Sequence, residues 1–390
     1  MGCRRILIVA GEASADRYGA RLVESLKRRH PEGGLEFFGT GGDRMAGAGV
    51  ELLGHIRKLS SIGPREALER FAVYYETFRT LLREAAARRP AVAVLMDFPE
   101  FNLRLAKKLK RAGTTVVYYI SPQIWAWRAG RIRTVRRFVD EMLVILPFEE
   151  EYYRERGVKA RFVGHPLLED FAPDRDRESF LARFNLDPAR RTVALLPGSR
   201  AREVDYILPT LLRASLVILR ELPAQFLISS SATVETGRVQ RIAAEILRGE
   251  DAGYFRIVPA DARDILANSD FALVKSGTST LEAALVGTPF VVVYRISPLS
   301  WQVGNLLIRS PFKGLVNLIA GEEIVPEYLQ NDATPEAISR SALGYLTDGE
   351  KSAAMRRRLA RVRESLSTLQ ASETAAACVD DHLRTALASG

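Results

Sequence analysis

Val274-Lys275-Ser276-Gly277-Thr278-Ser279-Thr280-Leu281-Glu282 carries an apolar run, Phe271 to Val274, into a small hydroxyl-rich turn and out again into a helix-like segment, Leu281 to Val286. Gly287-Thr288-Pro289 breaks that segment, and Phe290-Val291-Val292-Val293 reads as the next buried strand. Strand, turn, helix, strand is the repeat of a parallel sheet covered by helices. A turn of this kind presents the unpaired N–H groups of a helix start, and with the helix dipole they suit a phosphate or diphosphate. Ser276, Gly277, Thr278 and Ser279 form the turn. Glu282, on the first helical turn, would be repelled by a phosphate and instead suits sugar hydroxyls. Together they point to a nucleotide sugar. The same residues also read as an ordinary N-capped helix, and the stretch by itself leaves both readings open.

Outward from it, short apolar runs alternate with longer amphipathic ones almost throughout. In the first half the expected strands are 6–10, 35–38, 92–96, 115–120, 141–146 and 161–163, with helices over 16–29, 64–88 and 101–111. Phe171-Ala172-Pro173-Asp174-Arg175-Asp176 reads as a linker. The second half restarts the pattern with strands at 192–196, 226–229, 255–258, 271–274 and 290–293, and from Thr334 onward the chain reads as helix. The expectation is an α/β protein of two doubly wound, Rossmann-like domains, 1–170 and 171–345, facing a shared cleft, with a helical segment over 346–390 that packs back on the first.

The 390 residues are too many for one ordinary core and sufficient for two such domains. At 47% hydrophobic and 26% charged residues the chain reads as globular, neither disordered nor membrane-spanning. The longest apolar-leaning run without charge, between Arg295 and Arg309, is too short to span a bilayer. The N-terminus enters a strand at once without a signal-peptide pattern, which predicts a cytoplasmic protein. Two cysteines, Cys3 and Cys378, and four scattered histidines give neither a disulfide framework nor a metal site. Asp174-Arg175-Asp176 imitates a metal-binding Asp-x-Asp, but no apolar strand leads into it and a solvated linker accounts for it. Net charge is +9, which favours polyanionic partners. No nucleic-acid module is legible; a basic solvated surface and a membrane-surface role both remain.

In open α/β sheets ligands bind outside the carboxyl ends of the strands, so the turns there carry the chemistry. After the first strand comes Gly11-Glu12-Ala13-Ser14-Ala15-Asp16, which lacks the Gly-x-Gly-x-x-Gly spacing of a dinucleotide site. Glu12 offers an acceptor and Ser14 a donor or acceptor; alternatively Ser14 caps the next helix. Asp97-Phe98-Pro99-Glu100-Phe101-Asn102 follows the 92–96 strand. A carboxylate braced by aromatics and a proline is partly desolvated, which raises its pKa toward that of a general base, while capping of the next helix is the plainer role. Ser121-Pro122-Gln123-Ile124-Trp125-Ala126-Trp127-Arg128 places two tryptophans where they can pack a sugar ring or acyl chain, or anchor the core. Leu196-Pro197-Gly198-Ser199-Arg200, with Glu203 starting a helix, is a second phosphate-facing turn, and Arg200 suits a leaving diphosphate.

These motifs in this order resemble the lipid-A-disaccharide synthase family of two-domain GT-B glycosyltransferases. The resemblance rests on Gly11-Glu12-Ala13-Ser14, Asp97-x-Pro99 with Phe101-Asn102, Trp125-Ala126-Trp127-Arg128, Leu146-Pro147-Phe148-Glu149 and Gly164-His165-Pro166. It continues through Leu196-Pro197-Gly198-Ser199-Arg200 with Glu203, Ser276-Gly277-Thr278, Thr280-Leu281-Glu282, Tyr294-Arg295 and Asn317-Leu318-Ile319-Ala320-Gly321, covering roughly residues 5–330. Ala15 stands where the family usually has Gly, Glu100 where it often has Asp, and Ser279 where it usually has Ala. The resemblance implies transfer from UDP-2,3-diacylglucosamine to 2,3-diacylglucosamine 1-phosphate, giving the β-1,6-linked disaccharide 1-phosphate and UDP with inversion. It further implies Asp97 as base, Ser199, Arg200 and the Ser276–Ser279 turn on the diphosphate, Glu282 on the ribose, Glu12 and Asn317 in the cleft, and no metal or other cofactor.

A peptidoglycan N-acetylglucosaminyltransferase or a UDP-GlcNAc epimerase is the rival enzyme reading. The former should carry a longer Gly-rich first turn than 11–19 provides. A non-catalytic basic protein of membranes or nucleic acid is the rival of another class, and Asp97, Arg200 and Glu282 at strand ends speak against it. Acylated substrates imply the anionic cytoplasmic face of the inner membrane. Two stripes could meet it: Leu68, Phe71, Tyr75, Phe78 and Leu82 between Pro64 and Arg89, and Trp301, Leu306, Leu307 and Ile308 between Arg295 and Lys313. Either stripe can equally face the core.

Overall fold

The computed structural model describes residues 4–59, 67–126, 128–174, 176–231, 234–296, 301 and 311–388. They form two compact units, one of residues 1–169 with 366–390 and the other of residues 170–365.

In the first unit the elements are β1 (Arg4–Val9), α1 (Ala13–Arg29), β2 (Leu35–Gly41), α2 (Asp43–Gly47), β3 (Val50–His55), α3 (Ile56–Leu59), α4 (Ala67–Arg88), β4 (Val92–Met96) and α5 (Pro99–Arg111). They continue with β5 (Thr115–Tyr119), α6 (Ile132–Phe138), β6 (Glu141–Val144), α7 (Pro147–Arg154) and β7 (Ala160–Phe162). The seven strands form a parallel sheet in the order β3-β2-β1-β4-β5-β6-β7. Every residue of β4 is buried, as expected of a central strand covered on both faces. β3 was absent from the sequence reading. It is an edge strand, largely half-exposed, with Glu51 breaking its apolar run.

The second unit repeats the plan with α8 (Arg177–Arg183), β8 (Arg191–Leu196), α9 (Ala201–Glu221), β9 (Ala224–Ser229), α10 (Thr236–Ile246), β10 (Phe255–Val258), α11 (Ala262–Ala267), β11 (Phe271–Lys275), α12 (Thr278–Val286), β12 (Phe290–Tyr294) and β13 (Glu327–Leu329). Its parallel order is β10-β9-β8-β11-β12-β13. The opening stretch thus forms β11, a turn and α12, and Gly287 ends α12 in the left-handed conformation at φ 86°. The short edge strand β13 also escaped the sequence reading.

Helices alone follow Thr334: Pro335–Thr347, Gly349–Leu366 and Ala371–Ala388. The first two belong to the second unit. Only the last lies in the first unit, where Ala375, Ala376, Val379 and Leu383 enter the same core as Leu22, Val23 and Leu26 of α1. Its N-terminus is tied down by Glu169, which accepts from the Ser372 amide and hydroxyl at 2.6 Å each.

Both sheets reverse their winding between two central strands, β1 and β4 in one unit, β8 and β11 in the other. At such a switch point the flanking helices leave to opposite faces and a crevice opens beyond the strand ends. The turns after these four strands are therefore where ligands belong in each unit.

Candidate active site

At the first switch point the turn after β1 carries Glu12, with Ser14 in the first turn of α1, and the turn after β4 carries Asp97. The Ser14 hydroxyl donates to Glu12 Oε1 at 2.5 Å. Burial first, and then the charge of Glu12 and a hydrogen bond with it, push the Asp97 carboxyl up to about 7, against the Phe98 amide that holds it down. A carboxylate at that value is matched to proton transfer at neutral pH. The two turns are also locked sterically. A Cβ on Gly11 would stand 2.5 Å from Phe98 Cγ, so only glycine leaves room for that ring.

The Asp97 turn is unusual in its backbone. Asp97 and Phe98 take φ of 44° and 49° in succession, a region non-glycine residues rarely enter. Asn102 Nδ2 donates to the carbonyls of Met96 at 3.0 Å and Asp97 at 2.8 Å, and the Tyr118 hydroxyl donates to the Asp97 carbonyl at 2.5 Å. Phe98 stacks on Phe101 with ring centroids 5.2 Å apart.

Trp125 is half-buried, its indole N–H donating to Glu149 Oε1 at 2.9 Å and its ring edge-on to Phe148. Glu149 also accepts from the Ser121 hydroxyl at 2.5 Å, and burial pushes it up to about 7 although Ser121 and Trp125 hold it down. Trp125 is thus a fixed wall rather than a mobile side chain. Arg128 and Arg131 both pair with Glu100, at the start of α5 three residues beyond Asp97. Trp127 lies outside the described residues.

At the second switch point, the turns after β8 and β11 and those after β9 and β10 surround a cavity of about 850 Å³. Gly198, Ser199, Thr278, Ser279 and Glu282 line it, joined by Ser229, Ser230, Ser231 and Asp261. Gly198 sits at φ 113°, and a Cβ there would meet Glu203 Oε2 at 2.5 Å. The Ser199 amide donates to that same oxygen at 3.2 Å. Arg200, 71% exposed, pairs with Glu203 Oε1 at 3.1 Å. Burial pushes Glu203 up, but Lys275 and Arg200 hold it below the usual carboxylate range.

Lys275 received no role from the sequence, although it stands in the opening stretch. Its ammonium shares Glu203 with Arg200, linking the β11 turn to the β8 turn. A lysine at the end of an apolar strand was the available signal. Ser276 and Asn317 turn inward. The Ser276 hydroxyl donates to the Lys313 carbonyl at 2.8 Å. Asn317 is fully buried; its Nδ2 donates to Val325 O and Glu327 Oε1, each at 2.8 Å, and its Oδ1 accepts from the amides of Ile324 and Val325. Its amide braces the chain behind β12. Gly277 precedes the α12 amides, and a Cβ there would stand 3.1 Å from Lys275 Nζ.

Among the described residues there is no group of three or more His, Cys, Asp or Glu able to hold a metal ion, and no helix is long and apolar enough to cross a membrane. Of the first expected membrane stripe, Tyr75 is 56% exposed, while Phe78 and Leu82 pack against the core. Leu68 and Phe71, and Leu306, Leu307 and Ile308 of the second, lie outside the described side chains.

The family model described as lipid-A-disaccharide synthetase matches residues 6–380. The lipid-A-disaccharide synthase of Koribacter versatilis is 43% identical over 373 residues, covering 95% of this chain and 96% of its own. That of Anaeromyxobacter dehalogenans is 45% identical over 363 residues, covering 93% of each. Among solved structures, the calicheamicin glycosyltransferase aligns over 99% of both chains with a TM-score of 0.58 at 14% identity, a likeness of fold.

Proposed function

This chain belongs to the lipid-A-disaccharide synthase family, glycosyltransferases of lipid A synthesis, and on that premise we propose that it joins UDP-2,3-diacylglucosamine to 2,3-diacylglucosamine 1-phosphate. The acceptor's 6-hydroxyl oxygen attacks the donor's anomeric carbon as the bond to the diphosphate breaks, and the electron pair leaves with UDP. One displacement inverts the α-linked donor to a β-1,6 product without a covalent intermediate. Asp97 takes the hydroxyl proton, and its burial first, with the neighbouring Glu12 second, keeps its proton affinity high enough to do so at neutral pH.

The departing diphosphate gathers negative charge, which fixed donors stabilise best. Gly198, Ser199, Arg200 and the Ser276, Gly277, Thr278 and Ser279 turn supply them, and Glu282 accepts from the ribose hydroxyls. Trp125 and Arg128 would serve the acceptor, and Asn317 would act only through the chain segment between β12 and β13 that its amide holds. No metal enters this scheme. The acylated substrates are collected from the anionic cytoplasmic face of the inner membrane, to which the basic chain is drawn.

The observation that carries the reading is the pairing of Asp97 with Glu12 at the switch point of the first sheet. Incubating the protein with both acylated sugars and weighing the product by mass spectrometry tests it. The disaccharide 1-phosphate together with UDP is the expected outcome; UDP release with no disaccharide would remove the proposed acceptor.

A further inference from the structure

We infer that Asn102 and Tyr118 are positioning residues for the base, clamping the Asp97 carbonyl so that the carboxylate is held toward Glu12. The inference rests on Asp97 being the base.

Left alone, the turn would not keep this shape. Aspartate enters the left-handed region more readily than most residues, but as a single residue, and a bulky phenylalanine enters it rarely; here the two occupy it in succession at φ 44° and 49°. Relaxing either residue into the helical or extended region would rotate the peptide between them and swing the carboxylate away. Backbone strain of this kind persists only where the surroundings over-determine it. The carbonyl of Asp97 accepts from both Asn102 Nδ2, at 2.8 Å, and the Tyr118 hydroxyl, at 2.5 Å. Both lone pairs are therefore fixed. The same amide group also donates to Met96 O at 3.0 Å, so Asn102 grips the peptides on both sides of Asp97.

Two further observations separate this clamp from ordinary packing. Asn102 is fully buried, and its Oδ1 has no partner among the described residues. A buried unmatched acceptor is unfavourable, and an apolar side chain would avoid it. What an apolar side chain cannot do is donate two hydrogen bonds to consecutive carbonyls. Tyr118 is fully buried as well, and burial pushes its hydroxyl well above its ordinary range. It stays protonated, and so a donor, at any working pH.

The test uses the full chain with three variants. Tyr118→Phe removes one hydroxyl and leaves the ring; Asn102→Ser removes the two amide donations; Asp97→Asn is the control. Folding is checked by near-ultraviolet circular dichroism and melting, and kcat, KM and the pH profile are then measured. Expected for Tyr118→Phe and Asn102→Ser are KM values within about twofold and kcat lowered about ten- to a hundredfold, the scale of a misplaced reacting group. The acid limb of the profile should also move to lower pH as the carboxylate leaves Glu12. Unchanged kcat and an unmoved limb in both, with Asp97→Asn inactive, would reject the clamp and leave the base in place. A loss that tracks the folded fraction alone, with the limb unmoved, rejects it too. Full turnover in Asp97→Asn would instead remove the base, and the clamp with it.

Discussion

Lys275 Nζ lies 3.0 Å from Glu203 Oε1, and each of these side chains is only 16% exposed. The pair joins the end of β11 to the start of α9, beneath the two turns proposed to hold the diphosphate. Removing Glu203 strips the Lys275 ammonium of this partner, and removing Lys275 leaves Glu203 with the exposed Arg200. Glu203→Gln and Lys275→Met should each destabilise the protein, and the double variant should lose less than their sum. A coupling of about 1–3 kcal/mol in a double-mutant cycle by denaturant unfolding is expected; additive losses would show that the pair contributes nothing as a pair.

Arg200→Ala should weaken UDP binding at least about tenfold, since a charge-assisted hydrogen bond contributes about 1.5–3 kcal/mol. Glu282→Ala should do likewise through the ribose. Calorimetric titration with UDP reads both, and unchanged affinity in the two variants would place the nucleotide elsewhere.

Asp97→Asn should lower kcat by about two to four orders of magnitude with UDP affinity intact. Thermal stability should move the other way. Because the folded carboxyl is raised from 3.8 to about 7, the folded state binds the proton more tightly than the unfolded chain. Stability therefore falls as pH rises through that window, and the ionised native carboxylate is unfavourable above it. Asp97→Asn should melt above the parent at pH 8, with the gap narrowing toward pH 4. A gap independent of pH would contradict a raised Asp97.

Glu12→Gln removes a negative charge beside the base, so the acid limb of the rate profile should move to lower pH. Burial is the larger cause of the raised carboxyl and remains. The limb should accordingly shift by only about one unit and stop well short of an ordinary aspartate. A pH–rate series decides it, and a limb moving upward would exclude Glu12 as the neighbour that tunes Asp97.

Activity in excess EDTA should equal activity without it if, as proposed, helix-start amides, Ser199 and Arg200 take the role of a divalent cation. Loss that magnesium restores would overturn this.

Much of the architecture was legible because central parallel strands are buried on both faces. Central 92–96 could be read to the residue, and the distinctive Asp97 turn follows it directly; 255–258 was also read to the residue, although β10 lies at the edge of its sheet. β3 and β13 were not legible: both are edge strands, β3 with Glu51 interrupting its apolar pattern and β13 only three residues long and half-buried. The chemistry of the turns was legible as residue types but not as partnerships. Nothing local to Lys275 announces Glu203, and nothing local to Trp125 announces that Glu149 takes its N–H. Asn317 shows the converse: a polar residue in a recognised motif, whose amide proves to be saturated by its own chain.

The last helix, Ala371–Ala388, has a consequence for how the protein is made. It completes the core of the first unit, but some two hundred residues of the second unit are synthesised before it. While the ribosome works through them, the α1 face that takes Ala375, Ala376, Val379 and Leu383 has no cover. The unit begun first is thus finished last, and a nascent chain halted near residue 365 would hold a closed second unit beside an open first one.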